Sequence, residues 1–252
     1  MRSIITVKDL VKNYGSFKAV KGISFEVYEG EIFGLLGPNG AGKSTTLEIM
    51  ETLRKKTSGE VIICGMNLDR EPDNIKKVIG VQLQTSGYYP GLSLVELIQL
   101  FGGLYNEPVD PAALLQLVNL TDKIKSKYKE LSGGQKQRFS IATTLINKPR
   151  IIFLDEPTTG LDPQARRNLW ELIKNIRSQG TTVIITTHYM DEAEQLCDRI
   201  AILDEGKIIS LDSPDKMIDD LVSSGFERPR QVKAANLEDV FIHLTGKEMR
   251  DD

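Results

Sequence analysis

GLLGPNGAGKSTTLEIM, residues 34–50, runs an apolar stretch into a glycine-rich turn and then into a helical pattern. Inside it GPNGAGKS, residues 37–44, has the spacing Gly-x4-Gly-Lys-Ser, which is the spacing of a loop that cradles phosphate. Glycine lets the backbone turn tightly so that successive N–H groups point inward, and the start of the following helix adds its partial positive charge. On this reading Gly37, Pro38, Asn39, Gly40, Ala41, Gly42 and Thr45 surround the phosphates. Lys43 reaches the β- and γ-phosphates and Ser44 binds Mg2+.

Working outward, IITVKDLV and GISFEVYEGEIFGLLG read as strands upstream of the loop, and GEVIICG and VIGVQLQ as short strands downstream of its helix. From Pro90 to Lys148 the texture changes, with LSLVELIQLFGGLY, DPAALLQLVNL and GQKQRFSIATTLI carrying apolar residues at helical spacing. Strand and helix patterns then alternate through RIIFLDEP, PQARRNLWELIKNIRSQ, TTVIITTH, MDEAEQLC, RIAILDEG and KIISLD. Alternation of this kind predicts βα units on a parallel sheet, and apolar strands without strict period-two alternation predict helices on both faces. The fold class is α/β.

RIIFLDEP, residues 150–157, ends an apolar strand in two carboxylates, at the edge where parallel sheets place their ligands. Asp155 is placed to hold the Mg2+ shell, and Glu156, facing the other way, to polarise a water for attack on the γ-phosphate. Together with the phosphate loop this reads as a nucleotide hydrolase.

LSGGQKQR, residues 131–138, offers a second glycine-rich helix start but without a phosphate-loop lysine pattern. With this signature the chain resembles the ATP-binding-cassette (ABC) ATPases, in which it follows a helical subdomain and precedes the Asp-Glu strand by about twenty residues, as it does here. The resemblance runs from about Lys8 to Leu211 in unbroken motif order. It implies a phosphate-loop NTPase core with a mostly parallel sheet, an N-terminal antiparallel β subdomain and an inserted helical subdomain. It also implies that two ATPase subunits pack head to tail, so that Ser132, Gly133, Gly134 and Gln135 of one close on the nucleotide held by Lys43 of the other.

Further motifs follow the same resemblance. Tyr14 in KNYG matches the aromatic that stacks on adenine, and Gln84 at the end of VIGVQLQ matches the glutamine that senses Mg2+ and the attacking water, with Gln82 close beside it. TGLDP, residues 159–163, matches the loop that contacts the opposite subunit, with Asp162 as its polar contact. His188, ending TTVIITTH, matches the histidine that contacts the γ-phosphate. His243 matches nothing and reads as a surface or packing residue, Trp170 as packed core, and the acidic MDEAEQ as a solvated helix start.

Composition bounds the remaining classes. A net charge of -3 across 252 residues lacks the basic footprint of a nucleic-acid binder. Two cysteines, Cys64 and Cys197, make no disulfide framework and read as small buried hydrophobes of a reducing compartment. No apolar run is long enough to span a bilayer, so a membrane role requires partner chains.

The expected organisation is an ATPase domain over residues 1–224 with a helical insertion at about 85–148, a linker at 225–235 and a C-terminal helix and tail at 236–252. YYPGLSLVELIQLFGGLYN, PTTGLDPQARRNLWELI and NLEDVFIHLTG resemble the exporter branch that includes drug, antibiotic and sodium efflux ATPases. The resemblance therefore implies a cytoplasmic subunit, peripheral on the membrane through transmembrane permease partners, that spends ATP on export. Tyr88, Tyr89 and Leu92 are the candidate permease contacts, with subdomain core as the other reading. The alternative function is a soluble ABC ATPase of the iron-sulfur-assembly type, against which stands the Pro-Gln that follows Asp162.

Overall fold

Ile32, Phe33, Leu35 and Leu36 are all buried because β3 (Ile32–Leu36) runs through the middle of a sheet covered on both faces. The computed structural model describes residues 2–83 and 87–226. Ahead of β3 lie β1 (Ser3–Tyr14) and β2 (Phe17–Tyr28), an antiparallel pair. After it come α1 (Lys43–Met50), β4 (Ser58–Ile63), the two-residue β5 (Met66–Asn67), α2 (Pro72–Val78) and β6 (Ile79–Gln82). Three helices follow, α3 (Leu94–Tyr105), α4 (Pro111–Leu117) and α5 (Gly133–Thr144). The chain then alternates through β7 (Ile151–Asp155), α6 (Pro163–Ser178), β8 (Thr182–Thr187) and α7 (Met190–Leu196), and ends in β9 (Arg199–Asp204), β10 (Lys207–Asp212) and α8 (Pro214–Ser223).

Among the described residues the strands form two sheets. One is antiparallel in the order β2-β1-β4-β5, and the other has the order β10-β9-β3-β8-β7-β6. In the larger sheet the neighbours from β9 to β6 are all parallel, while β10 runs antiparallel to β9. The two sheets share one core, in which Phe25 of β2 stacks on Phe33 of β3 with ring centres 5.4 Å apart.

Register delivers the strand ends that matter to one edge. Leu36 pairs with Thr187, Asp155 with Thr186, and Gln82 with Leu154. Four parallel strands therefore end side by side, the arrangement in which open α/β sheets hold ligands.

Local signals explain the helix limits. Ser93 and Glu96 form a capping box at the start of α3, whose last residue is followed by Asn106 in the left-handed conformation. Asp110 caps α4 and Asp162 caps α6, each directly ahead of a proline at the first helical position. On α6 the residues Leu169, Leu172, Ile173 and Ile176 are buried at helical spacing, each contributing about 1.5–3 kcal/mol. Replacing Leu169 with Asp would leave a charge in that seam.

GISFEVYEGEIFGLLG holds strands as expected, and between them Gly30, at φ 78, turns the chain from the antiparallel sheet into the parallel one. Some expectations need correcting. KIISLD was expected in the βα alternation. It is instead the second arm of a tight hairpin with β9, turned by Glu205 and Gly206, both with positive φ. The helices α2 and α8 were not expected at all.

The chain divides into two units, Met1–Lys216 and Met217–Asp252. The second unit is described only to Phe226, over the end of α8 and the turn at Gly225. The C-terminal helix expected at 236–252, His243 within it and most of the linker expected at 225–235 lie outside the described residues, as does Gln84.

Candidate nucleotide site

The phosphate loop is held by close backbone contact. A Cβ on Gly37 would stand 2.2 Å from the Leu203 carbonyl oxygen, and one on Gly42 would stand 2.7 Å from that of Ala19. Gly42 is also at φ 100, so neither position accepts a side chain without moving backbone. Gly42 offers no side-chain cap to α1 and the first turn holds no acidic residue. The N–H groups at that helix end are therefore available to an anion.

Lys43 is buried at 5% exposure, and its Nζ donates to the carbonyl oxygens of Gly37 at 2.8 Å and Pro38 at 3.1 Å. The ammonium is thus parked on the loop's own carbonyls, 3.9 Å from Glu156 Oε1. Burial lowers its pKa, while Glu156 and Asp155 oppose the shift.

Ser44 Oγ donates to Asp155 Oδ1 at 3.2 Å, across more than a hundred residues of sequence. Thr186 Oγ1 also donates to that oxygen. Burial raises the Asp155 pKa, opposed by the Thr186 and Ser44 hydrogen bonds, with the Glu156 charge adding to the rise. A hydroxyl and a carboxylate brought together suit a hard divalent cation. No group of three or more His, Cys, Asp or Glu side chains among the described residues is placed to hold a metal by itself. Phosphate oxygens and water would have to complete the shell.

Glu156 has φ 46, a left-handed conformation costly for a side chain of this kind. Its N–H donates to Thr186 Oγ1 at 2.9 Å, Thr159 Oγ1 donates to its Oε2 at 3.3 Å, and His188 Nδ1 lies 3.2 Å from its Oε1. Asp155 and Glu156 therefore face different partners, one toward Ser44 and one toward Lys43 and His188.

Tyr14 closes the hairpin between β1 and β2 opposite Phe17, and both rings line a cavity of about 420 Å3 with Asn39, Lys43, Thr45 and Glu156. Lys12 Nζ stands 4.9 Å and the Arg54 guanidinium 5.3 Å from the Tyr14 ring centre. A second cavity of about 380 Å3 is lined by Ser132, Gly133, Gly134 and Gln135 together with Gly160 and Asp162. The two cavities share no lining residue. Ser132 and Gln135 cap α5 reciprocally, through Ser132 N–H to Gln135 Oε1 at 2.9 Å and Gln135 N–H to Ser132 Oγ at 3.3 Å. Asp162 accepts the Ala165 N–H at 2.8 Å, so part of its carboxylate already serves its own helix.

Gln82 ends β6 with its side chain buried and Oε1 unpartnered among the described residues. The residues expected as permease contacts separate. Tyr88 packs into the helical region against Phe101, Tyr128 and Phe139, its hydroxyl 2.8 Å from Thr143 Oγ1. Tyr89 is 66% exposed and lines an apolar hollow of about 470 Å3 with Leu92 and Leu100. Cys197 is buried and Cys64 half-buried. The acidic start of α7 is not a solvated face throughout, because Glu192 is wholly buried and accepts the Trp170 indole N–H at 3.1 Å.

The family model for ABC transporter matches residues 20–159. The chain belongs to the ABC transporter family. Nod factor export ATP-binding protein I of Cupriavidus metallidurans is 34% identical over 303 aligned positions, covering 100% of both chains. The linearmycin resistance ATP-binding protein of Bacillus subtilis is 41% identical over 213 positions, covering 82% of this chain and 68% of that one. Among solved structures, an ATP-binding cassette of an ABC transporter in its ADP conformation superposes with a TM-score of 0.79 at 25% identity, over 88% of this chain and 96% of that one. A dimeric bacterial ABC transporter cassette does so with a TM-score of 0.74 at 30% identity, over 83% and 98%. The fold is accordingly that of an ABC ATPase, and the chain is an ATP-binding, ATP-hydrolysing subunit of an ABC transporter. None of these relatives is of the iron-sulfur-assembly type. Among the described residues no helix is long and apolar enough to cross a membrane.

Proposed function

We propose that two copies of this ABC ATPase, or one copy and a similar subunit, close head to tail on ATP and drive an export permease. The observation that carries this reading is the separation of the two cavities, each half of a nucleotide site. The phosphate-loop cavity has a lysine and no signature residue, and the signature cavity has no lysine from the phosphate loop. ATP bound by one chain then gains its remaining donors from Ser132, Gly133 and Gly134 of the other, so binding favours the closed dimer.

Within the site Tyr14 stacks on adenine, the loop from Gly37 to Thr45 wraps the phosphates, and Lys43 leaves its two backbone carbonyls for the phosphate oxygens. Ser44 and Asp155 would hold Mg2+, and Gln84 is assigned to the same ion from the sequence alone. Bound there, the ion would supply positive charge against the phosphates. Glu156 Oε1 takes the hydrogen bond of the attacking water, and His188, against that oxygen through Nδ1, presents its other ring nitrogen to the γ-phosphate. Hydrolysis removes the contact that favours closure, and the dimer opens.

The names of the relatives support export as the direction, and on this reading the chain works at the cytoplasmic face, held there by a permease. Tyr89, Leu92 and Leu100 are the surface for that contact, an exposed apolar hollow with an aromatic at its rim. Affinity capture from native membranes tests the assignment. A polytopic membrane protein in stoichiometric amount, lost from a Tyr89→Asp variant, is the expected result. Recovery of soluble partners alone would contradict it.

A further inference from the structure

Glu192 sits in the first turn of α7, four residues after His188, and none of it reaches solvent. Its Oε1 accepts the indole N–H of Trp170 on α6 at 3.1 Å. Its Oε2 has no hydrogen-bond partner among the described residues, and neither has Oγ1 of Thr158, a buried residue in the loop that leaves Glu156. The Thr187 hydroxyl accepts the Tyr189 N–H at 3.0 Å, which leaves its own hydrogen free to turn toward Glu192. Burial pushes the Glu192 carboxyl up, while the polar groups of Thr187, Thr158 and Trp170 oppose the rise. An apolar side chain would fill this space without the cost of burying a carboxyl.

A second contact joins the same two elements. Arg166, one turn before Trp170 on α6, pairs with Asp191 at 3.0 Å, and its guanidinium lies 5.2 Å from the Tyr189 ring centre. The segment that follows His188 is thus held along its length by one face of α6. That helix is capped by Asp162, in the loop that lines the signature cavity.

We propose that Glu192 is a positioning residue for ATP hydrolysis. Through its hydrogen bond with Trp170 it ties α7, the helix that follows His188, to α6, the helix into which the Glu156 loop leads, and so keeps the Nδ1 to Oε1 contact at 3.2 Å. The inference rests on the assignment of His188 and Glu156 to hydrolysis. A misplacement of about 1 Å between reacting groups costs on the order of 100-fold in rate.

The test compares Glu192→Ala and Glu192→Gln for ATP turnover, normalised to the chains that bind ATP, with KM and thermal melting measured in parallel. Alanine is expected to lower kcat by roughly 10- to 100-fold with KM for ATP little changed. Glutamine still accepts from Trp170 and is expected to restore most of the loss. Trp170→Phe keeps the ring and removes only the donor, so it reads the same link if the alanine variant fails to fold, with a smaller fall in kcat expected. Wild-type kcat per binding-competent chain in both Glu192→Ala and Trp170→Phe, with His188→Ala inactive, overturns the inference alone. Wild-type kcat in His188→Ala overturns the assignment on which it rests.

Discussion

His188 Nδ1 lies 3.2 Å from Glu156 Oε1, although the two residues follow different strands. The contact orients both groups. With Nδ1 engaged by the carboxylate, the other ring nitrogen of His188 is the one left to meet a phosphate. His188→Ala is therefore expected to lose ATP turnover by on the order of 100-fold or more and to keep most of its ATP affinity, since Tyr14 and the phosphate loop are untouched. Steady-state turnover together with equilibrium binding of a fluorescent ATP analogue separates the two effects. Equal losses in both would place His188 in binding alone.

Tyr14 supplies an exposed aromatic face to the phosphate-loop cavity, flanked by Lys12 and Arg54. Base stacking on an aromatic contributes about 1–3 kcal/mol, so Tyr14→Ala should weaken ATP binding roughly tenfold and Tyr14→Phe should not. Titration of ATP binding by calorimetry distinguishes them. Unchanged affinity in the alanine variant would remove Tyr14 from the site.

Ser132→Arg blocks the signature cavity, while Lys43→Ala disables the phosphate loop. Each variant alone should be inactive. Mixed, they should regain turnover, because the loop of one chain and the signature of the other form an intact site. Binding of ATP by the Ser132→Arg monomer should remain near that of the unchanged chain, measured by equilibrium dialysis.

Glu51 closes α1 almost fully buried, with Oε1 unpartnered among the described residues. Burial, then the charges of Asp155 and Glu48, pushes its carboxyl up from 4.5 to about 8. Between those values the folded chain holds a proton that the unfolded chain has lost, so stability falls as pH rises across the window, by up to about 1.4 kcal/mol per pH unit. Glu51→Gln should flatten that slope and raise the melting temperature at pH 8 more than at pH 5. Denaturant titrations at both values check it.

The phosphate loop and the Asp155–Glu156 strand end were legible in the sequence because their chemistry is local. The glycines, Lys43 and Ser44 lie within eight residues, and the apolar runs beside them read as buried parallel strands. Signals that depend on distant packing were not. A Glu early in a helix ordinarily complements the helix dipole in water, and only the packing of α6 against α7 shows that Glu192 is enclosed while Asp191 beside it is exposed. Tyr88 and Tyr89 are adjacent and alike, yet one joins an aromatic cluster and the other faces outward. KIISLD has the composition of a parallel strand, and the short turn at Glu205 and Gly206 decides instead for a hairpin.

The central claim is that one ATP is held by two chains. Mass measurement of the Glu156→Gln variant with and without ATP tests it most directly, since that variant keeps every binding contact and loses the group that activates water. A shift from the monomer mass of 28.1 kDa to twice that value on adding ATP and Mg2+, abolished by Ser132→Arg in the same background, is the predicted result. A Glu156→Gln chain that binds ATP to saturation and stays at the monomer mass would contradict the account.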